Sequence, residues 1–422
     1  MIIPTHGHNS GQEVRERPRR ILQIFSRYKD YGGEEGSVYR IGDALQHEFD
    51  VGFFIYSSED LYSPNVLRKT MGAIKAVSNW EVISNLRRYH QLGRYDCWLV
   101  HNVFPAMSPS VYAIAFKLGI PVVQYLHNYR MGCINGFFMN HGKPCQRCIH
   151  GSFFPAFQTA CWHDSRLQSG IMGGITKRIR RMDVFGKVQH WIAISDAQKQ
   201  EHVRMGIPED RITTIHHFLT SQKEPPPYPP AGDVLFVGRL SQEKGVDLLL
   251  RAWVSLQHLG RILWIVGDGP EREKLESLAG TLALRNVRFT GFLKPAEVES
   301  IWANTACTVV PSIWKEPFGM VVLEAWAKCR PVVAHRIGAL PEIIADGRGG
   351  ILVDPDAPEE MAAAIRGILD HPEQGAVMGR VGFARLRSHF SEAIWQNKIQ
   401  KFFQDVSFND PHKSLQEGKS GV

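Results

Sequence analysis

The chain has 422 residues, 44% apolar and 22% charged, with a net charge of +7 and an isoelectric point near 9.0. That length exceeds one ordinary hydrophobic core and predicts two domains. No apolar run approaches the roughly 20 residues that span a bilayer, and the basic start (Arg15, Arg17, Arg19, Arg20) lacks the apolar stretch of a signal peptide, so a cytoplasmic protein is expected.

Residues 1–20 are expected to be disordered. Ile21–Phe25 reads as a first strand, ending at a loop with Gly32 and Gly33, and a helix runs from Glu34 to about His47. Phe53–Tyr56 is a strand, and 58–94 is mostly helical. Asp96–Val100 and Pro121–Leu126 are apolar and read as buried strands that end at His101-Asn102 and His127-Asn128, with a helix at Pro109–Leu118 between them. A long irregular excursion follows, with 133–161 at its centre. Residues 166–188 give a basic amphipathic helix, Lys177, Arg178, Arg180, Arg181 and Lys187 standing among Ile, Met and Phe. A strand (Trp191–Ser195), a helix (Asp196–Met205) and a strand (Ile212–Ile215) complete a first domain, 21–220.

Residues 221–232, SQKEPPPYPPAG, are too rich in proline for helix or sheet and form a linker. Beyond it, strands at Val234–Val237, Ile262–Val266, Val287–Phe289, Cys307–Val310, Val332–Ala334 and Ile351–Val353 alternate with helices, among them Gly245–Gln257. This second domain spans 233–388. A last helix lies in 389–406, and 407–422 reads as a disordered tail. Alternation on both sides of the linker predicts an α/β protein with two parallel-sheet domains. In such sheets ligands sit outside the carboxyl ends of the strands. The loops after Phe25, Leu126, Val237, Val266 and Val310 would then surround one cleft.

Two segments carry the chemistry. In IWKEPFGMVVLEAWAKCRPVV (313–333), Glu316 lies on a tight Pro- and Gly-bounded loop, and Glu324 lies about two turns into the following helix. The amides of Phe318, Gly319 and Met320 open that helix, where unpaired N–H groups and the helix dipole favour a phosphate or a sugar hydroxyl. In Gly238–Gly245, Arg239 and Lys244 can converge on a diphosphate, Arg239 as a fork and Lys244 as a point charge. Without a ligand, Glu243 could instead pair with Arg239.

Four of the seven cysteines (Cys133, Cys145, Cys148, Cys161) fall within the excursion, and Cys145-x2-Cys148 is a knuckle spacing that suits a structural zinc. Cys97, Cys307 and Cys329 read as core residues. The positive charge is scattered and has no aromatic–basic motif beside it, so nucleic acid is not an expected partner.

The segments GRLSQEKGVDLLLRAW, WIVGDGPEREKLE, VRFTGFL and SIWKEPFGMVVLEAWAKCRPVVAHRIGALPEII, with HNVFPAMSPSVYAIAFKLGIPVVQYLHNYR in the first half, resemble family-4 glycosyltransferases (glycosyl transferases group 1), retaining enzymes of the GT-B fold. The likeness covers about residues 21–405. It implies two Rossmann-like domains facing a central cleft, a nucleotide-diphosphate sugar as donor, and a glycan or lipid-linked glycan as acceptor, in polysaccharide or cell-surface glycan assembly. No catalytic metal is implied. By the same resemblance Arg239 and Lys244 hold the donor diphosphate and Glu324 the ribose diol. Glu316, helped by the backbone of Phe318, Gly319 and Met320, holds the sugar. The backbone around Phe292 and Leu293 reads the base, Gly32 and Gly33 let the main chain approach the donor, and His127 touches the transferred sugar; His101 reads as a satisfied core histidine. The last helix is expected to brace the first domain, and the basic helix near 177–187 to meet a membrane surface. The alternatives are a GT-B nucleotide-sugar epimerase and a non-catalytic nucleotide-sugar-binding protein.

Overall fold

The computed structural model describes residues 20–27, 33–57, 66–220, 224–345 and 347–406. The termini expected to be disordered, Gly32, and positions 221–223 of the linker lie outside these residues.

The first domain runs β1 (Arg20–Arg27), α1 (Gly33–Leu45), β2 (Asp50–Ser57), α2 (Val66–Val77), α3 (Trp80–Gly93), β3 (Cys97–Val100), α4 (Ser110–Leu118) and β4 (Val122–Tyr125). The excursion holds β5 (Met139–Asn140), β6 (Lys143–Pro144) and α5 (Phe154–Gln158); α6 (Arg166–Arg181), α7 (Val184–Lys187), β7 (His190–Ala193), α8 (Asp196–Arg204) and β8 (Ile212–Thr214) complete the domain. The second domain runs β9 (Asp233–Val237), α9 (Val246–Trp253), β10 (Leu263–Val266), α10 (Arg272–Thr281), β11 (Val287–Gly291), α11 (Pro295–Ala303) and β12 (Thr305–Val310). It continues through α12 (Met320–Ala327), β13 (Val332–His335), α13 (Leu340–Ile344), β14 (Gly350–Val353), α14 (Pro358–Asp370), α15 (Pro372–His389) and α16 (Glu392–Asp405).

Each domain is built on a six-stranded parallel sheet, ordered β2-β1-β3-β4-β7-β8 in the first and β11-β10-β9-β12-β13-β14 in the second. The central strands β3, β4 and β12 are buried along their whole length. Their unbroken apolar runs are what a parallel strand covered on both faces requires. The second order is that of a Rossmann dinucleotide fold, and in both sheets the strand order reverses beside the first strand. The crevice at such a switch point is where α/β sheets receive ligands.

Three expectations need correction. The 166–188 helix is two helices, because Asp183 takes a left-handed conformation (φ 53°) between α6 and α7. Two of its cations are tied to backbone carbonyls. Arg180 donates to the carbonyls of Met205 (2.6 Å) and Ile149 (3.3 Å) and lies over the Phe185 ring, and Arg178 donates to the Val77 carbonyl. The helix expected to reach Gln257 stops at Trp253, whose buried indole N–H is tied to Asn286 (3.1 Å). The excursion is not wholly irregular, since β5 and β6 pair as a short antiparallel hairpin.

The domains meet over a large apolar surface. α16 packs on the first domain, with Trp395 buried beside Phe218 (centroids 4.9 Å apart), Phe403 edge-on to Phe49 (5.2 Å) and Phe402 edge-on to His190 (5.1 Å). The linker is pinned to the second domain. The buried Arg330 guanidinium donates to the carbonyls of Pro226 and Pro227, and the Tyr228 hydroxyl to that of Ala306.

Candidate functional site

The loops after β9, β10 and β12 interlock. Gly267 and Gly269 bring the β10 loop onto the backbone of Gly238 and Leu240, so closely that a Cβ at either glycine would strike a carbonyl oxygen. The Ile313 amide donates to the Glu243 carbonyl (2.9 Å), which ties the β12 loop to the β9 loop. Gly245, at φ 63°, lies against Pro311 where no side chain fits.

This frame brings Lys244 to Glu316. The Lys244 ammonium donates to Glu316 Oε2 at 2.9 Å, and the same oxygen accepts from Ser312 Oγ (2.9 Å) and Trp314 Nε1 (2.8 Å). Lys244 also stands 5.2 Å from the centre of the Trp314 ring. Glu316 is buried, and three donors on one oxygen satisfy the rule that a buried charge be paired and hydrogen-bonded. Arg239 is exposed and has no ion-pair partner among the described residues; Glu243 accepts from the Ser241 hydroxyl (2.6 Å) instead. Gly319 precedes α12 at φ 95°, and the amides of Phe318, Gly319 and Met320 meet no acceptor among the described residues. Glu324 is half-buried on α12. Burial raises its carboxyl above the ordinary range, and the Arg40 guanidinium of α1, across the cleft, offsets part of that rise. Phe292 is 66% exposed just beyond β11, free to meet a flat ligand, and Leu293 is partly buried against the core.

The facing wall comes from the first domain. His127 follows β4 and is partly exposed. Its ring stacks on Tyr125 (5.2 Å) and His217 (5.6 Å), and His217 in turn meets Phe318 edge-on (5.4 Å). One ring therefore separates His127 from the loop that carries Glu316. Burial depresses His127 to about 3, and it holds His101 and His217 far below the usual histidine range, so all three rings are neutral near pH 7. His101 is more than a filler of the core, because its Nδ1 lies 2.9 Å from His127 Nε2. Gly33 opens α1, and the next residue, Glu34, accepts from the Asn128 amide (3.3 Å) through Oε2, while its buried Oε1 has no partner among the described residues. Burial lifts the Glu34 carboxyl to about 7, against the opposing pull of Arg130 and Asn128.

The excursion closes over the loops that follow β9 and β12. Phe137 meets Trp314 edge-on at 5.2 Å and Tyr129 does so at 6.4 Å, and Gly142 leaves no room for a side chain beside the Gln242 amide. Cys133, Cys145, Cys148 and Cys161 line one small cavity, yet no three Cys, His, Asp or Glu side chains among the described residues are disposed to hold a metal ion. Asn135 accepts from the Cys133 thiol (3.0 Å) and donates to Cys161 Sγ (3.3 Å). The expected zinc set is thus not assembled, and burial keeps Cys133 and Cys148 protonated, at about 12 and 11.

Sequence reasoning missed Trp314, Ser312, Glu34, Asn128 and Arg40. The one available signal was an acidic residue in the first helical turn after a Gly-Gly loop. The others become functional candidates only through contacts distant in sequence.

Two family models match, end to end. Glycosyltransferase Family 4 matches residues 31–222, and Glycosyl transferases group 1 matches residues 220–385. Glycosyltransferase models thus cover residues 31–385 between them, and the chain is a glycosyltransferase. This glycosyltransferase is 41% identical over 143 residues to the alpha-D-kanosaminyltransferase of Streptomyces kanamyceticus (33% of this chain, 37% of that one). It is 37% identical over 323 residues to the D-inositol 3-phosphate glycosyltransferase of Segniliparus rotundus (73% and 65%). These matches span from about a third to two thirds of the relatives' own length. Among solved structures, the Anabaena protein HepE in complex with UDP and glucose superposes with a TM-score of 0.64 over 92% of this chain and 100% of that one, at 18% identity, which supports the GT-B fold. No helix among the described residues is long and apolar enough to cross a membrane.

Proposed function

We propose that this glycosyltransferase moves a sugar from a nucleotide diphosphate to a glycan or lipid-linked acceptor with retention of anomeric configuration. The observation that carries the reading is the pairing of Lys244 with Glu316 on interlocked switch-point loops, with Arg239 exposed beside them. Arg239 and Lys244 hold the diphosphate, together with the amides of Phe318, Gly319 and Met320. Glu316 then turns to hydroxyls of the sugar, Glu324 to the ribose, and Phe292 and Leu293 to the base. Gly32 and Gly33 let main-chain N–H groups approach the donor.

The bond from the anomeric carbon to the diphosphate oxygen breaks as the acceptor oxygen bonds to the same face. The acceptor proton passes to the departing phosphate. Charge develops on that phosphate, and fixed cations there are worth several kcal/mol of transition-state stabilisation because they act where the charge appears. His127, neutral and one ring away from the Glu316 loop, contacts the sugar near the reacting carbon.

A lipid-linked acceptor is supported by the outer face of the first domain. Leu167 is 74% and Phe154 63% exposed, on helices α5 and α6 that also carry the exposed Lys177 and Arg181. An amphipathic face of this kind suits a membrane interface. Loss of co-sedimentation with anionic vesicles on neutralising Lys177 and Arg181 would support the docking, and absence of binding by the unaltered protein would rule it out.

The deciding experiment is a screen of nucleotide sugars for binding and slow hydrolysis, followed by NMR of the product's anomeric proton. Inversion would overturn the mechanism. Isomerised donor without acceptor would mark an epimerase, and tight binding without turnover a non-catalytic binder.

A further inference from the structure

Three neighbouring strands of the first sheet each bring one polar side chain to a single line. Gln23 lies on β1, His101 directly follows β3, and His127 follows β4. Gln23 is 1% exposed and His101 fully buried. His101 Nε2 is 2.7 Å from Gln23 Oε1, and His101 Nδ1 is 2.9 Å from His127 Nε2. The backbone of His101 is held on both sides. Its amide donates to the Ile24 carbonyl (2.9 Å), and its carbonyl accepts from Gln124 Nε2 (2.7 Å), whose own oxygen accepts from the Tyr112 hydroxyl (2.6 Å).

We infer that Gln23 and His101 are positioning residues that fix the tautomer of His127, so that its Nδ1 lone pair, not an N–H, faces the transferred sugar. The inference rests on the reading of His127 as a sugar contact. An amide oxygen can only accept, so His101 must carry its proton on Nε2. A neutral imidazole has one N–H, which leaves His101 Nδ1 as an acceptor. His127 must then donate from Nε2, and its own Nδ1 is left bare, with no partner among the described residues. Neutrality of both rings is enforced by their surroundings, since the His127 ring lies 5.1 Å from that of His101 and 5.6 Å from that of His217, and a proton added to one would face its neighbours.

A bare Nδ1 selects for a hydroxyl. It accepts a hydrogen bond from a sugar O–H and strengthens as that oxygen is drawn toward the reacting centre. A ring presenting N–H would instead bind the sugar oxygen as a donor. The Gln23 amide is the switch, because turning it end for end reverses both bonds and puts a proton on His127 Nδ1.

The test is a nitrogen-15 spectrum of the histidine side chains in the full chain, with His127 assigned by its loss in His127→Gln. The expected result is protonated Nε2 and unprotonated Nδ1 at His127. In Gln23→Met the His127 signals should move toward a mixture of tautomers, and kcat should fall about tenfold with little change in the donor KM, the loss of roughly one hydrogen bond in the transition state. A proton on Nδ1 in the unaltered protein overturns the inference, and so does an unchanged His127 spectrum in a folded Gln23→Met. Should that variant fail to fold, the spectrum of the unaltered protein still decides. If His127→Ala keeps full turnover, the sugar-contact reading fails while the tautomer assignment is judged on the spectrum alone.

Discussion

Lys244 is the residue whose removal separates chemistry from folding most cleanly. It lies on a loop, and Glu316 keeps Ser312 and Trp314 as donors when the ammonium is gone. Lys244→Ala should lower kcat on the order of 10²- to 10³-fold, as removal of one preorganised charge partner does in other enzymes, with an unchanged circular dichroism spectrum; activity within a factor of three of normal would remove Lys244 from the mechanism. Glu34 makes a different prediction. Its folded carboxyl titrates near 7 against 4.5 when free, so the folded state binds the proton more tightly than the unfolded chain does. That raised value means the stabilisation is complete below about pH 4.5 and is lost as pH rises through 7. Glu34→Gln should flatten this decline, gaining about 1 to 3 kcal/mol at pH 8 relative to pH 5. Melting temperatures of both proteins across that range would check it, and parallel curves would contradict it. The acidic and basic side chains proposed to hold the donor could be named from the sequence because their spacing follows the loops. The ion pair between Lys244 and Glu316 was not, because 72 positions separate them and only the shared switch point joins them.

At the scale of elements, the alternation of apolar runs with turn residues located nearly every strand and helix, because a parallel sheet covered on both faces leaves no other place for such runs. The errors fell where an element ends. Asp183 breaks a helix through its left-handed backbone, and α9 gives way to a turn after Trp253. Neither residue type announces a stop. The four cysteines illustrate the opposite failure. Their spacing suggested a metal knuckle, but Asn135, near them in sequence, takes up the Cys133 and Cys161 sulfurs. The glycine that starts α9 yields a test of how tightly the donor loops depend on one another. Gly245→Ala would force a left-handed alanine into the Pro311 carbonyl, costing about 2 kcal/mol or more and spreading the β9 and β12 loops. Nucleotide affinity should fall together with thermal stability. Loss of stability with unaltered affinity would mean that the loops hold their shape independently.

Across the whole molecule, α8 is where the domains are latched. The Ser195 hydroxyl donates to the Pro317 carbonyl (2.7 Å), Lys315 pairs with Glu201, and Glu342 of α13 accepts from the amides of Asp196 and Ala197 and lies 2.6 Å from His216 Nε2. Burial alone would raise the Glu342 carboxyl, but His216 and the two amides outweigh it and hold the carboxyl below its usual range. Its contribution is therefore present above the unfolded carboxylate value and lost as pH falls through the lowered one. Glu342→Ala should give a larger radius of gyration in small-angle scattering at pH 7, a difference that narrows on acidification; identical radii at pH 7 would mean that the latch does not hold the domains. The excursion carries this coupling to the loop proposed to hold the donor, for Trp314 is walled by Phe137 and Tyr129 of the other domain. Nucleotide binding and domain association are then two views of a single equilibrium, and linkage makes them reciprocal. A nucleotide that settles the 311–319 loop must tighten the grip of one domain on the other. By the same free energy, a change at Phe137, which touches no phosphate, must weaken the nucleotide.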